Sequence, residues 1–288
     1  MEIIPESEWE RLIEELVADK GTAILIGATD SGKSTLTRYL IEKLVSRDSV
    51  TSFVDSDIGQ SSLGIPGTIS MKIFGKAEDI EDFSADNIFF VGSLNPAKNI
   101  PLMIDGTKKM VNNARKYTEL ILVDTTGLIY GEYGKALKIG KIRALTPQHI
   151  FAIQRYDELE HILTMIEDIK IHRIEASQMV KKRSRETRIR YRKKRFDEYF
   201  DKTKLVEFLL DGVSFFYNGR QLIPKEVDFK EGTLIGLNHN EDTKALGILL
   251  DLENTSITFK SPIQSVKGIN RVILGDINLY EQEVNILL

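Results

Sequence analysis

Apolar positions along this chain change period in a regular way. Thr22-Ala23-Ile24-Leu25-Ile26 is a short, partly β-branched run, and from Ser34 to Val45 the residues Leu36, Tyr39, Leu40 and Leu44 fall at helical spacing. The same exchange recurs downstream. Strands are expected at Val50–Val54, Asn87–Val91, Glu119–Val123, His149–Ile153 and Ile171–Ile174, and helices within Ile100–Arg115, Tyr133–Leu145 and Leu159–Ile169. Glu6 to Ala18 reads as an amphipathic helix through Trp9, Leu12, Ile13 and Leu16. Alternating strands and helices predict an α/β fold with a doubly wound, mainly parallel sheet. Its strand C-termini should form one ligand-binding edge. From about Ser177 to Phe200 the chain reads as a long charged helix. Beyond Lys204, short runs at Val213–Tyr217, Thr233–Leu237, Leu246–Leu250, Ser256–Phe259 and Val272–Leu274 alternate with Gly and Pro turns, which predicts a small β-rich C-terminal module. The expected division is 1–203, including the charged helix at about 177–200, and 204–288.

Composition adds exclusions. The chain has no cysteine, so disulfides, thiolate zinc sites and cysteine nucleophiles drop out. No apolar run approaches the roughly 20 residues of a membrane helix. The acidic start, Met1 to Glu8, lacks the basic and apolar parts of a signal peptide. A cytoplasmic protein with no membrane partner is the expectation. The net charge of −4 hides an asymmetry: residues 181–195 carry ten Lys/Arg and one Glu on an otherwise acidic chain.

Three constellations carry chemistry. Gly27-Ala28-Thr29-Asp30-Ser31-Gly32-Lys33-Ser34-Thr35 is a G-x-x-x-x-G-K-[ST] phosphate-binding loop between an expected strand and an expected helix, the context that motif requires. Its backbone N–H groups and the helix N-terminus suit a triphosphate, Lys33 reaches the β/γ-phosphates, and Ser34 offers a hydroxyl to Mg²⁺. Lys33 is expected at the solvent-reachable surface of the loop. Asp124-Thr125-Thr126-Gly127 ends an apolar strand, where an aspartate beside a phosphate loop handles the metal. The chain continues after its later strand as Gln154-Arg155-Tyr156-Asp157, so the guanine-reading motif of GTPases is absent. Asp55-Ser56-Asp57-Ile58-Gly59-Gln60 ends the second strand, and two aspartates two apart on an extended segment point the same way. One of them suits the acceptor side of phosphoryl transfer, and the mutual charge should raise one pKa. Solvated turn aspartates are the plainer alternative. Arg183, Arg185, Arg188 and Arg192 form a basic stripe that could close over a triphosphate, track a nucleic-acid backbone, or face water. Among the histidines, His149 and His161 fall near these elements, with no metal-site spacing.

With those residues in hand, the chain resembles the polynucleotide 5′-hydroxyl kinases related to the RNA kinase of the eukaryotic pre-mRNA cleavage factor and to the ribosomal-RNA-processing kinase. The resemblance rests on the phosphate loop with its Thr29-Asp30-Ser31 variant, on Val54 to Gln60 with Pro66-Gly67-Thr68-Ile69, on Asp124 to Gly127, and on Arg183-Ser184, Arg188, Arg192 and Tyr199-Phe200. It implies ATP and Mg²⁺ as cofactors and an RNA or DNA 5′-hydroxyl end as acceptor. It gives Asp57 the acceptor-activating role and Arg183 and Arg188 the role of lid arginines. Gly92-Ser93-Leu94-Asn95-Pro96 resembles the clasp for the terminal nucleotide, so Gln60, Ser93, Asn95 and Arg192 are carried over as acceptor contacts. Two departures stand out. Leu128 occupies the position where many members have Trp, and only some 20 residues precede the first strand, where the eukaryotic members have an adenine-seating β domain. No motif names a protein partner. The alternative function is a nucleotide-switched assembly factor with little transfer activity. The basic segment exceeds what a lid needs, so Lys193, Lys194 and Arg195 are expected to track a strand's backbone.

Overall fold

The computed structural model describes the chain except residues 1, 2, 4, 7, 224–228, 254 and 285–288. Parts of the acidic N-terminus (Met1, Glu2, Ile4, Ser7) therefore lie outside the described residues. Helix α1 (Trp9–Ala18) buries Trp9, Leu12, Ile13 and Leu16, one stripe at i, i+3, i+4, i+7. β1 (Thr22–Gly27) and α2 (Lys33–Val45) bracket the phosphate loop. β2 (Thr51–Ser56), β3 (Thr68–Phe74), β4 (Asn87–Phe90), α4 (Ile100–Ala114), β5 (Leu120–Thr125), α5 (Gly131–Leu145), β6 (His149–Gln154) and β7 (Lys170–Glu175) follow, with a four-residue α3 (Glu78–Glu81) before β4.

The strands β2, β5, β1, β6 and β7 are neighbours in that order and all parallel. β1, β2, β5 and β6 are buried along their whole length, which is why they read as apolar runs without alternation. One apolar cluster lies under α4 and α5, through residues such as Met103, Met110, Leu137 and Ile142, and a second lies under α1 and α2. This is the doubly wound arrangement expected from the alternation.

The sequence reading needs correcting at several elements. β3 was not anticipated; it runs antiparallel to β2 and β4 because its buried Thr68, Ser70 and Lys72 break up the apolar signal. The helix expected at Leu159–Ile169 is the single turn α6 (Glu160–Leu163). The chain leaves it at Thr164 and enters β7 through Asp168, whose left-handed φ of 60° is incompatible with a continuing helix. The charged helix α7 spans Arg185–Phe200, and it starts only after Ser184, whose Oγ accepts from Thr187 N at 3.2 Å.

Residues from Lys204 onward form β8 (Lys204–Leu209), β9 (Ser214–Tyr217), β10 (Arg220–Leu222), β11 (Thr233–His239), β12 (Asp242–Leu252), β13 (Ser256–Ser261), β14 (Arg271–Asn278) and the short α8 (Leu279–Val284). They have their own apolar cluster around Phe215, Leu237, Leu249 and Phe259. β12 meets β4 through Thr243 opposite Ile88, and Phe90 N donates to Thr243 Oγ1 at 3.0 Å, so these strands continue the central sheet. A last cluster joins Phe90, Leu234, Leu246 and Ile277 to Phe196 of α7. Among the described residues no helix is long and apolar enough to cross a membrane.

Candidate active site

The phosphate loop turns on Gly32, which has φ 96° and serves as N-cap of α2. A Cβ on Gly27 would sit 2.6 Å from Ile153 O. The loop is also braced from β5, since a Cβ on Gly127 would come within 2.5 Å of Thr29 N. Lys33 is a correction to the sequence reading, because it is buried. Its Nζ donates to Gly27 O at 3.1 Å and to Ala28 O at 2.8 Å, so the loop's carbonyls wrap the ammonium. Burial lowers its pKa, and the Asp124 charge opposes that most, then Asp57 and Asp30.

Ser34 Oγ donates to Asp124 Oδ2 at 2.6 Å, and Asp124 Oδ1 accepts from Thr125 N at 2.8 Å. Burial pushes the Asp124 carboxyl up to about 7, against the pull of Lys33. A hydroxyl and a buried carboxylate in contact are hard oxygen donors short of positive charge, which fits a Mg²⁺ site.

Asp55 is Cα partner to Asp124 across β2 and β5, and Asp57 lies two residues beyond. The two aspartates do different work. Asp55 is fully buried, and its Oδ2 accepts from Ser61 Oγ, Ser62 N, Ser62 Oγ and Leu63 N at 2.6–3.1 Å. Its Oδ1 takes Asp57 N at 3.0 Å. Burial first and the Asp57 charge second raise its pKa. Asp57 is half-buried, and its hydrogen bonds, from Gly59 N and Gln60 N, both fall on Oδ1. Among the described residues, no hydrogen bond falls on Oδ2.

The lid approaches through Asp30, which is held at φ 54°. Its Oδ2 accepts from Arg188 Nη2 at 2.6 Å and from Arg183 N at 3.1 Å, and its carbonyl accepts from Arg155. Arg183 itself precedes α7, and its side chain is exposed. Arg188 Nε, Arg192 Nε and Gln60 Oε1 are buried without hydrogen-bond partners, while Gln60 Nε2 donates to Gly59 O at 2.7 Å. Burial lowers the Arg192 pKa, reinforced by Arg188 and then Arg185. Three mutually repelling guanidiniums on one face, two with unsatisfied N–H groups, form an anion-binding surface. Thr35 and Thr29 are exposed, Ala28 and Ser31 buried.

The structure does not bring every candidate into this cluster. The 92–96 segment comes near it through its backbone, with Leu94 O lying 3.5 Å from a Cβ built on Gly59. Ser93 Oγ accepts from Asn95 N at 3.2 Å and also hydrogen-bonds the Asp276 carboxylate, and Asn95 Oδ1 accepts from Ala97 N at 3.0 Å. Of the expected backbone track at 193–195, Arg195 is instead tied to Leu63 O and Gly64 O, while Lys193 and Lys194 lie on the surface 3.7 Å from Asp197 and 3.6 Å from Glu198. His149 begins β6 at the opposite edge of the sheet. There it joins Asp19, His172 and Glu15 in a hydrogen-bonded and ionic chain. His161 faces Ile129 O at 2.9 Å.

Two site residues escaped the sequence reading. Lys138 and Lys141 of α5 are fully buried beneath the ends of β5 and β2. Lys138 Nζ donates to Thr125 Oγ1 at 2.8 Å, and Lys141 Nζ donates to Ser56 Oγ. Their spacing with Leu137, Ile142 and Leu145 was the available signal.

The family described as mRNA cleavage and polyadenylation factor CLP1 P-loop matches residues 27–202. The chain belongs to the CLP1 P-loop family. Matching relatives include polyribonucleotide 5′-hydroxyl-kinases of Pyrococcus horikoshii (38% identical over 204 residues, 68% of this chain and 55% of that protein) and Methanocaldococcus jannaschii (36% over 208 residues, 70% and 56%). The chain thus spans about half the length of the curated relatives it matches. Its fold is similar to that of Clp1p solved in complex with Pcf11p, at TM-score 0.73 and 11% identity, over 94% of this chain and 78% of that one. Membership accounts for the phosphate loop and the strand-end carboxylates as parts of one P-loop architecture.

Proposed function

We propose that the chain is an ATP- and Mg²⁺-dependent polynucleotide kinase that phosphorylates the 5′-hydroxyl end of RNA. The carrying observation is the division of labour at adjacent strand ends. Asp124 is paired with the loop's Ser34, while Asp57, two residues beyond its register partner, keeps one carboxylate oxygen free of hydrogen bonds. A site that only binds nucleotide has no use for the second arrangement. The names of the archaeal relatives support the same acceptor.

Mg²⁺ held by Ser34 and Asp124 would offset charge on the β- and γ-phosphates. Asp57 Oδ2 orients the acceptor hydroxyl and takes its proton as the new O–P bond forms. The bond from the γ-phosphorus to the bridging oxygen breaks, and ADP leaves. Lys33 follows the transferring group, and Arg188 and Arg192 turn their unsatisfied N–H groups onto it. Incubation with γ-labelled ATP and a 5′-hydroxyl RNA decamer should label the RNA. An unlabelled RNA alongside normal nucleotide binding would refute the assignment.

The contact of Arg188 with Asp30 favours a second reading, a nucleotide-switched assembly factor, because it couples the lid to the loop. That reading expects nucleotide to change amide exchange at 183–192 with no transfer at all.

A further inference from the structure

Lys138 and Lys141 stand three residues apart on α5, both with 0% exposure. The transfer step above uses neither. Each ends on the residue that follows a strand-end carboxylate: Lys141 on Ser56, after Asp55, and Lys138 on Thr125, after Asp124. Ser56 and Thr125 are themselves register partners across β2 and β5. The two ammoniums therefore meet the two carboxylate-bearing strand ends at one level of the sheet.

The hydroxyl protons fix the direction of these contacts. Thr107 Oγ1 donates to Met103 O at 2.6 Å, so the Ser56 hydroxyl, 2.7 Å away, gives its proton to Thr107. Ser56 Oγ then has only lone pairs for Lys141. Likewise Thr125 Oγ1 spends its proton on Leu25 O at 2.8 Å and can only accept from Lys138. Both lysines donate to hydroxyls that can only accept, wired through Ser56 to α4 and through Thr125 to β1.

Burial of both is unfavourable. It pushes Lys141 down to about 7 and Lys138 well below its ordinary value, and Asp57, Asp124 and Asp55 oppose the shift at Lys141 in that order. Apolar side chains in place of each lysine together with its hydroxyl partner would suit a pure scaffold as well or better. Retained cost of this kind is expected where a fold trades stability for function.

We propose that Lys141 is a positioning residue for phosphoryl transfer: its ammonium, anchored on Ser56, sets the direction in which the 55–57 segment presents Asp57 to the acceptor. Lys138 is its counterpart at the Asp124 end. The proposal rests on the transfer activity proposed above, and the wild-type chain is assayed first for that reason. Wild type without transfer removes the kinase reading and this role with it.

Given an active wild type, Lys141→Met keeps length and removes charge. Its Tm should fall by some degrees, because Ser56 and the nearby carboxylates lose their partner, while its affinity for ATP should stay within about threefold, since the phosphate loop is untouched. Its kcat toward a 5′-hydroxyl decamer should fall about 10- to 100-fold, the loss typical of a slightly misplaced reacting group. The loss should fall on kcat with KM for the oligonucleotide little changed, a split that general loosening of the fold does not give. Ser56→Ala, which deletes the bridging hydroxyl, should give a smaller loss in the same direction. A wild-type kcat in Lys141→Met would overturn the proposal. So would loss of the thermal transition or of ATP binding together with activity, which would mark Lys141 as scaffold.

Discussion

Asp55 and Asp57 are chemically identical and two residues apart, yet replacing each with asparagine should damage different properties. At Asp57 the two hydrogen bonds both land on Oδ1. An asparagine can keep its carbonyl there and turn its NH₂ to the acceptor side. The fold loses nothing it uses, and stability should stay within about 0.5 kcal/mol. Transfer should fall about 10²–10⁴-fold, because an amide cannot take the hydroxyl proton. At Asp55 both oxygens accept from backbone N–H groups: Asp57 N on one, Ser62 N and Leu63 N on the other. Whichever way an asparagine turns, its NH₂ faces at least one of these donors. One stranded donor costs about 1–3 kcal/mol and the other rotamer strands two. Asp55→Asn should therefore lower Tm, loosen residues 61–63, and lose activity only in proportion. The assay pairs thermal melting with transfer from γ-labelled ATP to an RNA decamer, plus ATP binding for each variant. An inactive but fully stable Asp55→Asn beside an active Asp57→Asn would reverse the assignment of the proton acceptor.

Lys33→Ala should weaken ATP binding by roughly 1.5–3 kcal/mol, the worth of a charge-assisted phosphate contact, and reduce transfer further; near-normal turnover would contradict the site. Arg188→Lys should depress kcat more than ATP affinity, since lysine lacks the planar fork, whereas equal loss in both would make Arg188 a ground-state anchor. RNA binding should weaken with salt, and neutralising the exposed Lys181 and Lys182 should flatten the slope of log K against log[salt] by about 0.7 for each phosphate no longer neutralised. An unchanged slope would place the strand elsewhere. Glu160 is held at about 2, below its ordinary 4.5, first by its paired hydrogen bonds to Arg173. A depressed carboxylate stabilises above its unfolded pKa and stops doing so as pH falls through its folded one. Glu160→Gln should thus cost at most about 1 kcal/mol near neutrality, since the pair is partly exposed, and match wild type near pH 2. A Tm difference constant across that range would contradict this.

The parallel sheet, the phosphate loop and both strand-end carboxylates were legible in the sequence because each is local. An uninterrupted apolar run marks a strand buried on both faces, and a polar cluster follows at its end. What was hidden is what depends on the third dimension. Lys138 and Lys141 sit in a helix that also carries Lys135 and Arg143, so their charge reads as solvated surface until α5 is seen against β2 and β5. β3 was hidden by its own buried Ser70 and Lys72. Arg195 looked like part of a basic track because nothing in the sequence places Leu63 O and Gly64 O beside it.

The helix α7 is anchored at its C-terminal end in the C-terminal strands, while Arg188 and Tyr191 link its other part to Asp30 and Ser61 O. Phe196 is buried in the cluster shared with Leu234 and Leu246, and Tyr199 Oη accepts from Leu246 N at 2.9 Å. Its other end carries the arginines. That makes it a lever whose fulcrum is built from C-terminal strands that hold none of the chemistry. Arg188 lies eight residues from Phe196, about 12 Å along the axis, so a tilt of about 5° at the fulcrum carries its guanidinium about 1 Å. A substitution at Leu246, or anything docking on the strands that hold it, would retune catalysis by leverage without touching the site.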